Sequence, residues 1–472
     1  MLGSRSVAKR NPNSIPKPLS YESLKIVLKH FEANKRLDLT RRCDSIRTAN
    51  KAAPLKIEVL AFEPMKTIIN NKSYQLGVYR KFHDKEHDQN YILEGTESGG
   101  TPYDLDRFGF REPSEDMKMT LGDVNLQFEL LPAKPTVEGS RQNVRNQNLL
   151  MAYVRSCYGD DPDAVIDRCR RMRGEILPAT YHVKGETPPY NSYILLTVEN
   201  RDLELHRVED SDEDDSDEDF DEDSEAESDE DDSKKLNSAK KEHVEYTKTL
   251  QEASKYLNTW IFGSRPAIQV KKLEVKSAQM TIRLPPDVKI HAQIIKIHRR
   301  VYRTIESLSQ ILTDSSFPLK AIETFYSEMI GEDFAHENIG GFGKLVIFLD
   351  DSFHWFSANT KWNRLPPRTH FGTERIRDGS VILKFIIFII KNWRASMQQF
   401  GTWFSVGYAN KWIVSDAMKE LAKEFKVAEK NRFLMIPLDA TRDVQVWYEK
   451  VDHTEYDSYG AYYILNMKVV EK

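Results

Sequence analysis

"VKKLEVKS", residues 270–277, sets Val270, Leu273 and Val275 in an L-x-x-L-x-L spacing. Three later stretches repeat it. "AQIIKI" (292–297) offers Ala292, Ile295 and Ile297, and "LKAIETF" (319–325) offers Leu319, Ile322 and Thr324. "GKLVIFLDD" (343–351) offers Gly343, Val346 and Phe348. The central positions are 273, 295, 322 and 346, so the steps are 22, 27 and 24 residues. Apolar residues two apart read as short strands buried on one side. Between the second and third strands, "RRVYRTIESLSQILTD" (299–314) has a helical period and reads as a returning helix.

Strand-plus-helix units of about 20–29 residues have the period of leucine-rich repeats. Short apolar runs at such intervals also occur in ordinary α/β bodies, and both readings stand. The chain is therefore read as mixed α+β (α/β). The remaining C-terminal pieces continue it: strands at "TWFSVGY", "RFLMIPL", "DVQVWYEKV" and "GAYYILNMKVV", and a helix around "SDAMKELAKEF". "VILKFIIFIIKNW" (381–393) is too short for a bilayer and carries Lys384, so it reads as a buried helix or strand. Upstream, "EHVEYTKTLQEASKYLNTWIFG" puts Val244, Leu250, Ala253, Leu257 and Trp260 on one helical face, with Gly263 as the stop.

The first half opens on "PLSYESLKIVLKHFEANKRLDL" (18–39). Leu24, Val27, Leu28 and Phe31 form an amphipathic stripe, Ser20 stands at the N-cap, and Glu22 lies in the first turn. Leu37, Leu39, Cys43 and Ile46 line one or two further short helices. "PLKIEVLAF" and "KTIINNKSYQLGVYRKF" read as strands turning at Asn70 and Asn71. "GDVNLQFELLP" and "SYILLTVENRDLELHRV" are further strand candidates. Residues 133–148 read as a polar linker, and "NLLMAYVRSC" and "PDAVIDRCRRMRGEIL" as helical.

Charge divides the chain. Residues 209–232 hold eighteen acids and four serines, and the remainder carries 68 basic against 55 acidic residues, a balance of +13. A tract with almost nothing apolar to bury cannot fold. Ser211, Ser216, Ser224 and Ser228 each precede an acid by three residues, the pattern of acid-directed phosphorylation sites. Two basic clusters, Arg168, Arg170, Arg171 and Arg173, and Arg299 with Arg300, are candidate polyanion contacts; solvated helix faces are the plainer reading. The leader "MLGSRSVAKRNPNSIPKPL" has no apolar h-region and does not read as a secretory signal. Cys43, Cys157 and Cys169 lie far apart with no ligand spacing, so reduced, mostly buried thiols in the cytoplasm or nucleus are expected.

No catalytic constellation emerges. "GGFGKL" (340–345) lacks the P-loop spacing and reads as a glycine turn before a strand. "GTWFSVG" is not a nucleophile elbow. Asp104 and Asp106 of "YDLD" read as an Asx-turn. The histidines are not read as a metal site, and no cofactor is expected.

With the opening helix and first hairpin in hand, the chain resembles a nematode-expanded group of F-box-associated proteins with an uncharacterised C-terminal domain. The matching stretches are "LSYESLKIVL", "ANKRLDLTRRCDSIRTANKAAPLKIEVL", "YQLGVYR" and "GGTPYDLDRFGF", then "YTKTLQEASKYLNTWIFGSR", "IRLPPDVKI" and "DSSFPLKAIET". The resemblance implies a helical segment that docks on a Skp-type adaptor of a cullin ubiquitin ligase, through Leu19, Leu24, Val27, Leu28, Phe31, Leu37 and Leu39. It implies a downstream body that holds a protein substrate. Two positions depart from the general F-box pattern: Ser20 follows Leu19 where Pro is usual, and Ile46 stands where the C-x-x-W motif has Trp.

The expected organisation is a disordered leader (1–18), an F-box-like segment (19–52), the first part of the body (53–208), a disordered acidic linker (209–238) and a second, repeat-like part (239–472). The expected function is non-enzymatic substrate recognition within a ligase, with no membrane partner. Two other classes remain open: a stand-alone interaction scaffold, and a nucleic-acid or histone binder.

Overall fold

Ser20 caps the first helix, its Oγ accepting the Ser23 N–H at 3.2 Å, and α1 (Tyr21–Lys29) follows. Phe31 lies past its end. Helices α2 (Ala33–Arg42) and α3 (Arg47–Ala52) complete the entry. The computed structural model describes residues 19–83, 99–108, 112, 118–127, 186–200, 239–277, 280–327, 330–334, 342–349, 362–373, 376, 379–408, 410–430, 433–451 and 462–472. The leader, the 133–148 linker, the two helices read at 148–177, the arginines at 168–173 and the acidic tract with its four serines lie outside the described residues.

The strands are β1 (Lys56–Glu63), β2 (Lys66–Ile69), β3 (Lys72–Phe82), β4 (Val124–Asn125), β5 (Tyr190–Asn200) and β6 (Lys240–Glu245). After α4 (Leu250–Phe262) come β7 (Ile268–Val275), β8 (Thr281–Ile282), β9 (Ile290–Ile297), α5 (Val301–Leu308), β10 (Leu319–Phe325), α6 (Ile330–Asp333) and β11 (Phe342–Phe348). The chain closes with β12 (Arg368–Gly372), α7 (Gly379–Ser396), β13 (Trp403–Tyr408), α8 (Lys411–Phe425), β14 (Phe433–Pro437), β15 (Arg442–Lys450) and β16 (Tyr463–Glu471).

Among the described residues, fourteen strands form one open sheet, in the order β14-β15-β16-β13-β12-β11-β10-β9-β7-β1-β2-β3-β5-β6, while β4 and β8 pair apart from it. From β1 to β13 the central strands are parallel. One row, apolar but for the buried Thr369, crosses them in register: Leu60, Leu273, Ile295, Ile322, Leu345, Thr369 and Phe404. This row shares one core with residues of α2, α4, α5, α7 and α8, so these helices cover a single face of the sheet. The L-x-x-L-x-L spacing thus marks real strands. Its fourth phase needs correction: Leu345, not Val346, continues the row, and Val346 turns to the other face, since side chains alternate along a strand. The first member, β1 with Ile57, Leu60 and Phe62, precedes the others by far in sequence and pairs with β7.

One further reading changes, and one open alternative is decided. Val244 lies exposed on strand β6, and the helix begins only at Leu250 behind a capping box made by Thr249 and Glu252. The stretch 381–393 is helix: Ile382, Phe385, Ile386, Ile389, Ile390 and Trp393 are buried at helical spacing, while Lys384 and Lys391 face solvent. No helix among the described residues is long and apolar enough to cross a membrane. Cys43 is exposed rather than buried.

The acidic tract does not separate two bodies. Strands β5 and β6 are antiparallel neighbours, with Val198 opposite Lys240, so the tract is inserted in a hairpin connection. Parallel pairing of β1 with β7 makes the sequence on both sides of it one sheet. At the far edge, Leu438 N–H donates to Arg442 C=O at 3.0 Å, which by ladder alternation turns the backbone of Phe433, Met435 and Pro437 outward. Phe433 exchanges both backbone bonds with Lys430, and Pro437 has no N–H, so this edge is blunted against strand addition.

Deleting residues 209–232 removes 24 of the 39 residues that connect β5 to β6 and lowers the closure cost by about 0.8 kcal/mol. A single cooperative unfolding transition is expected in calorimetry, at an unchanged or slightly raised midpoint. Two transitions separating the halves would contradict the continuous sheet.

Candidate functional site

Two surfaces present themselves. The first is the leading helix pair. Helix α2 is locked inward: Ala33 and Leu37 belong to the main core, and Asn34 donates to Ile69 C=O at 2.8 Å. Arg36 is buried and reaches the C-terminal end of α3, donating to the carbonyls of Asn50, Ala53 and Pro54 at 2.9, 3.0 and 2.6 Å, and to Asn50 Oδ1 at 2.8 Å. Arg265 adds a bond to the Asn50 carbonyl at 2.8 Å. A cation at the negative end of a helix is favourable. Burial lowers both guanidinium groups to about 10, which leaves them charged at neutral pH.

This packing divides the seven expected docking residues. Leu28 is sealed against Ala49 and Ala53 of the α3 segment, and Leu37 against the sheet core; neither is available to a partner. Leu24 is half-buried beside Leu28. Leu19, Val27, Phe31 and Leu39 remain exposed, at 59%, 36%, 43% and 36%. Tyr21 and Ile26, off the stripe as read from sequence, are exposed as well. Their signal was composition alone: large apolar residues in the same short helix.

The second surface is the sheet face opposite the helices. Its side chains combine paired charges with aromatic rings and the buried Val346. Glu274, Lys296 and Glu323 succeed each other across β7, β9 and β10. Lys272 reaches Glu323 at 2.6 Å, and Glu274 has Lys296 and His298 each at 3.7 Å. Burial raises the Glu274 carboxyl, but the neighbouring His298 imidazole and the nearby lysines outweigh it and hold the group at about 2. Lys296 lies over the rings of Phe325 and Phe348, 5.4 and 4.7 Å from their centroids. Further along, Trp403 Nε1 donates to Asn466 Oδ1 at 3.0 Å, and the Trp403 and Trp447 rings stand 6.0 Å apart.

His370 and Ser405 are buried on neighbouring strands, with Nδ1 and Oγ 2.9 Å apart. Burial, reinforced by the charge of Lys344, lowers the imidazole to about 3, so it is neutral in the folded protein. Enclosed in this way, the pair is a hydrogen bond between strands rather than an exposed nucleophile and base. Lys344 of "GGFGKL" lies inside β11, so no phosphate loop follows these glycines. Asp106 accepts the Phe108 N–H at 2.9 Å in the expected Asx-turn. Asp104 is instead a clamp: it is buried and accepts the Leu250 N–H at 2.6 Å and the Tyr246 hydroxyl. Arg299 and Arg300 are exposed before α5, with Arg300 in the left-handed region at φ 52°.

One histidine pair escapes the sequence reading. His83, Glu86 and His87 have H-x-x-E-H spacing, which ligates metal when both histidines share a helix face. His83 instead leaves β3, its N–H bonded to Pro189 C=O at 2.9 Å, and residues 84–98 lie outside the described ones. Among the described residues no group of three or more His, Cys, Asp or Glu side chains is placed to hold a metal ion.

Residues 249–410 match a family described as a domain of unknown function, DUF3557. The match runs from the cap of α4 to the residue before α8 and so contains the strands from β7 to β13. No curated protein matches the chain, and no solved structure does.

Because His370 has its folded pKa near 3 and an ordinary value of 6.5, the unfolded chain takes up the proton first. Stability is full above about pH 6.5 and falls on acidification by up to about 1.4 kcal/mol per pH unit. Between pH 7 and 5, His370→Gln should flatten the pH dependence of the denaturation midpoint. An unchanged slope would show that the imidazole is not held neutral.

Proposed function

We propose that this chain is a non-enzymatic protein-recognition subunit that docks on a Skp-type adaptor through α1 and its flanks, and so serves a cullin ubiquitin ligase in the cytoplasm or nucleus. The observation that carries the reading is the division within the leading helices. Leu28, Leu37 and Arg36 fix them to the body, while Leu19, Tyr21, Ile26, Val27, Phe31 and Leu39 stay exposed. Large apolar side chains on a helix, here α1 and its flanks with Leu39 of the neighbouring α2, are the anchors of helix-in-groove recognition. Each such side chain contributes roughly 1.5 to 3 kcal/mol when buried by a partner. The resemblance of the leading segment to F-box-associated proteins supplies the adaptor class. The second face of the sheet is then the substrate-facing surface.

The departures at Ser20 and Ile46, together with the internal use of Leu28 and Leu37, favour a second reading: an interaction scaffold that no longer binds the adaptor. Purified full-length chain should capture a Skp-type adaptor, and Val27→Asp with Phe31→Asp should abolish capture while circular dichroism stays unchanged. Leu28→Ala, a core change, should lower the melting temperature instead. Capture that survives the double substitution would place the docking face elsewhere; absence of capture by the native chain would leave only the scaffold.

A further inference from the structure

The parallel strands and the C-terminal hairpin strands meet in one cross-strand row on the face opposite the helices. Arg368 of β12 is opposite Trp403 of β13, Trp403 opposite Lys468 of β16, Lys468 opposite Gln445 of β15, and Gln445 opposite Met435 of β14. Lys344 of β11 precedes the Leu345–Thr369 pair by one residue and extends the row on the other side. This row differs from its neighbour. Val346, His370, Ser405 and Asn466 in the adjacent row are buried, whereas Arg368 and Met435 are exposed and Lys344, Trp403, Lys468 and Gln445 are half-buried. The result is an accessible lane that combines basic charge with an aromatic floor.

Among the described residues, the lane's own charges are basic, and Arg368 and Lys468 flank Trp403 on either side. Lys344, Arg368 and Lys468 occupy it, and two acids of β15 are engaged beside it: Asp443 lies 3.6 Å from Lys472 and Glu449 accepts from Asn466 at 3.0 Å. The Arg368 guanidinium sits over the Trp403 ring, 5.9 Å from its centroid, and the indole N–H is fixed on Asn466. Trp447 and the exposed Phe433 continue the aromatic surface, their ring centroids 6.3 Å apart. A partner that fits must bring negative charge and apolar groups in alternation.

We infer that this lane binds an extended, acidic segment of a partner protein, one with carboxylates at alternate positions and apolar residues near them. The inference rests on the reading of the chain as a protein-recognition subunit and names the chemistry of what the sheet recognises. Spacing argues for an extended chain. Four inter-strand steps of about 4.8 Å separate Arg368 from Met435, roughly 19 Å, the span of about six residues of an extended chain. Opposed charges steer the encounter, and the aromatic floor supplies desolvated contact. The blunted edge of β14 excludes simple strand addition as the mode, so the segment lies across the strands.

The test uses a fluorescein-labelled peptide of alternating Glu and Ser with a central Phe, and a matched peptide with Gln for Glu. Anisotropy is read on the full-length chain and on a chain whose residues 209–232 are replaced by a Gly/Ser linker, which removes the protein's own competing polyanion. The acidic peptide should bind the replaced chain at least tenfold more tightly than the Gln peptide, with affinity falling as salt rises. Arg368→Glu with Lys468→Glu should weaken it at least tenfold without altering circular dichroism or adaptor capture. Affinity within twofold of native in that variant overturns the inference. So does single-stranded DNA that binds more tightly than the peptide and loses binding in the same variant, since the lane would then serve nucleic acid. Val27→Asp with Phe31→Asp should leave peptide affinity unchanged, so failure of the lane and failure of adaptor docking are read separately.

Discussion

The parallel pairing of β1 with β7 is the constraint on which the rest of this molecule depends. Through Leu60 opposite Leu273 and Phe62 opposite Val275, it joins the entry helices and first hairpin to the repeating strands and carries one apolar row across the sheet. Loop closure over so long a separation costs only slightly more than over a short one, because the cost grows with the logarithm of length. A long polyanionic insertion is therefore tolerated between β5 and β6, provided the strand ends remain paired as Val198 and Lys240 do.

On the sheet face opposite these helices, side chains bridge one strand to another. Here that is done by ion pairs and rings: Lys272 with Glu323, Lys276 with Glu63 at 2.8 Å, and Lys296 above Phe325 and Phe348. Several of these groups are well removed from solvent, where a partner is needed to offset desolvation. The same face changes character toward the C-terminal strands, from paired charges to a basic and aromatic lane.

The leading helices show a comparable division within a single element. Arg36 is the buried bolt between α2 and the carbonyl end of α3. That bolt fixes which apolar residues turn inward. Leu28 and Leu37 are consumed by the body, and the remaining apolar side chains stand out from a rigid support.

The L-x-x-L-x-L spacing, the Ser20 cap, the Asn70–Asn71 turn and the C-terminal strands were all legible in the sequence, because each rests on a local periodicity or a local hydrogen bond. Sequence also determined that 209–232 carries no apolar core and that the rest of the chain is basic. Three things were decided by tertiary structure alone. Whether Leu345 or Val346 faces the core is a matter of register with β10, and a slip of one residue reverses every side chain. That β1 belongs to the repeating row follows from a pairing between residues more than two hundred positions apart. The lane of Lys344, Arg368, Trp403 and Lys468 exists only because strands from four parts of the chain lie side by side, and no window of sequence contains it.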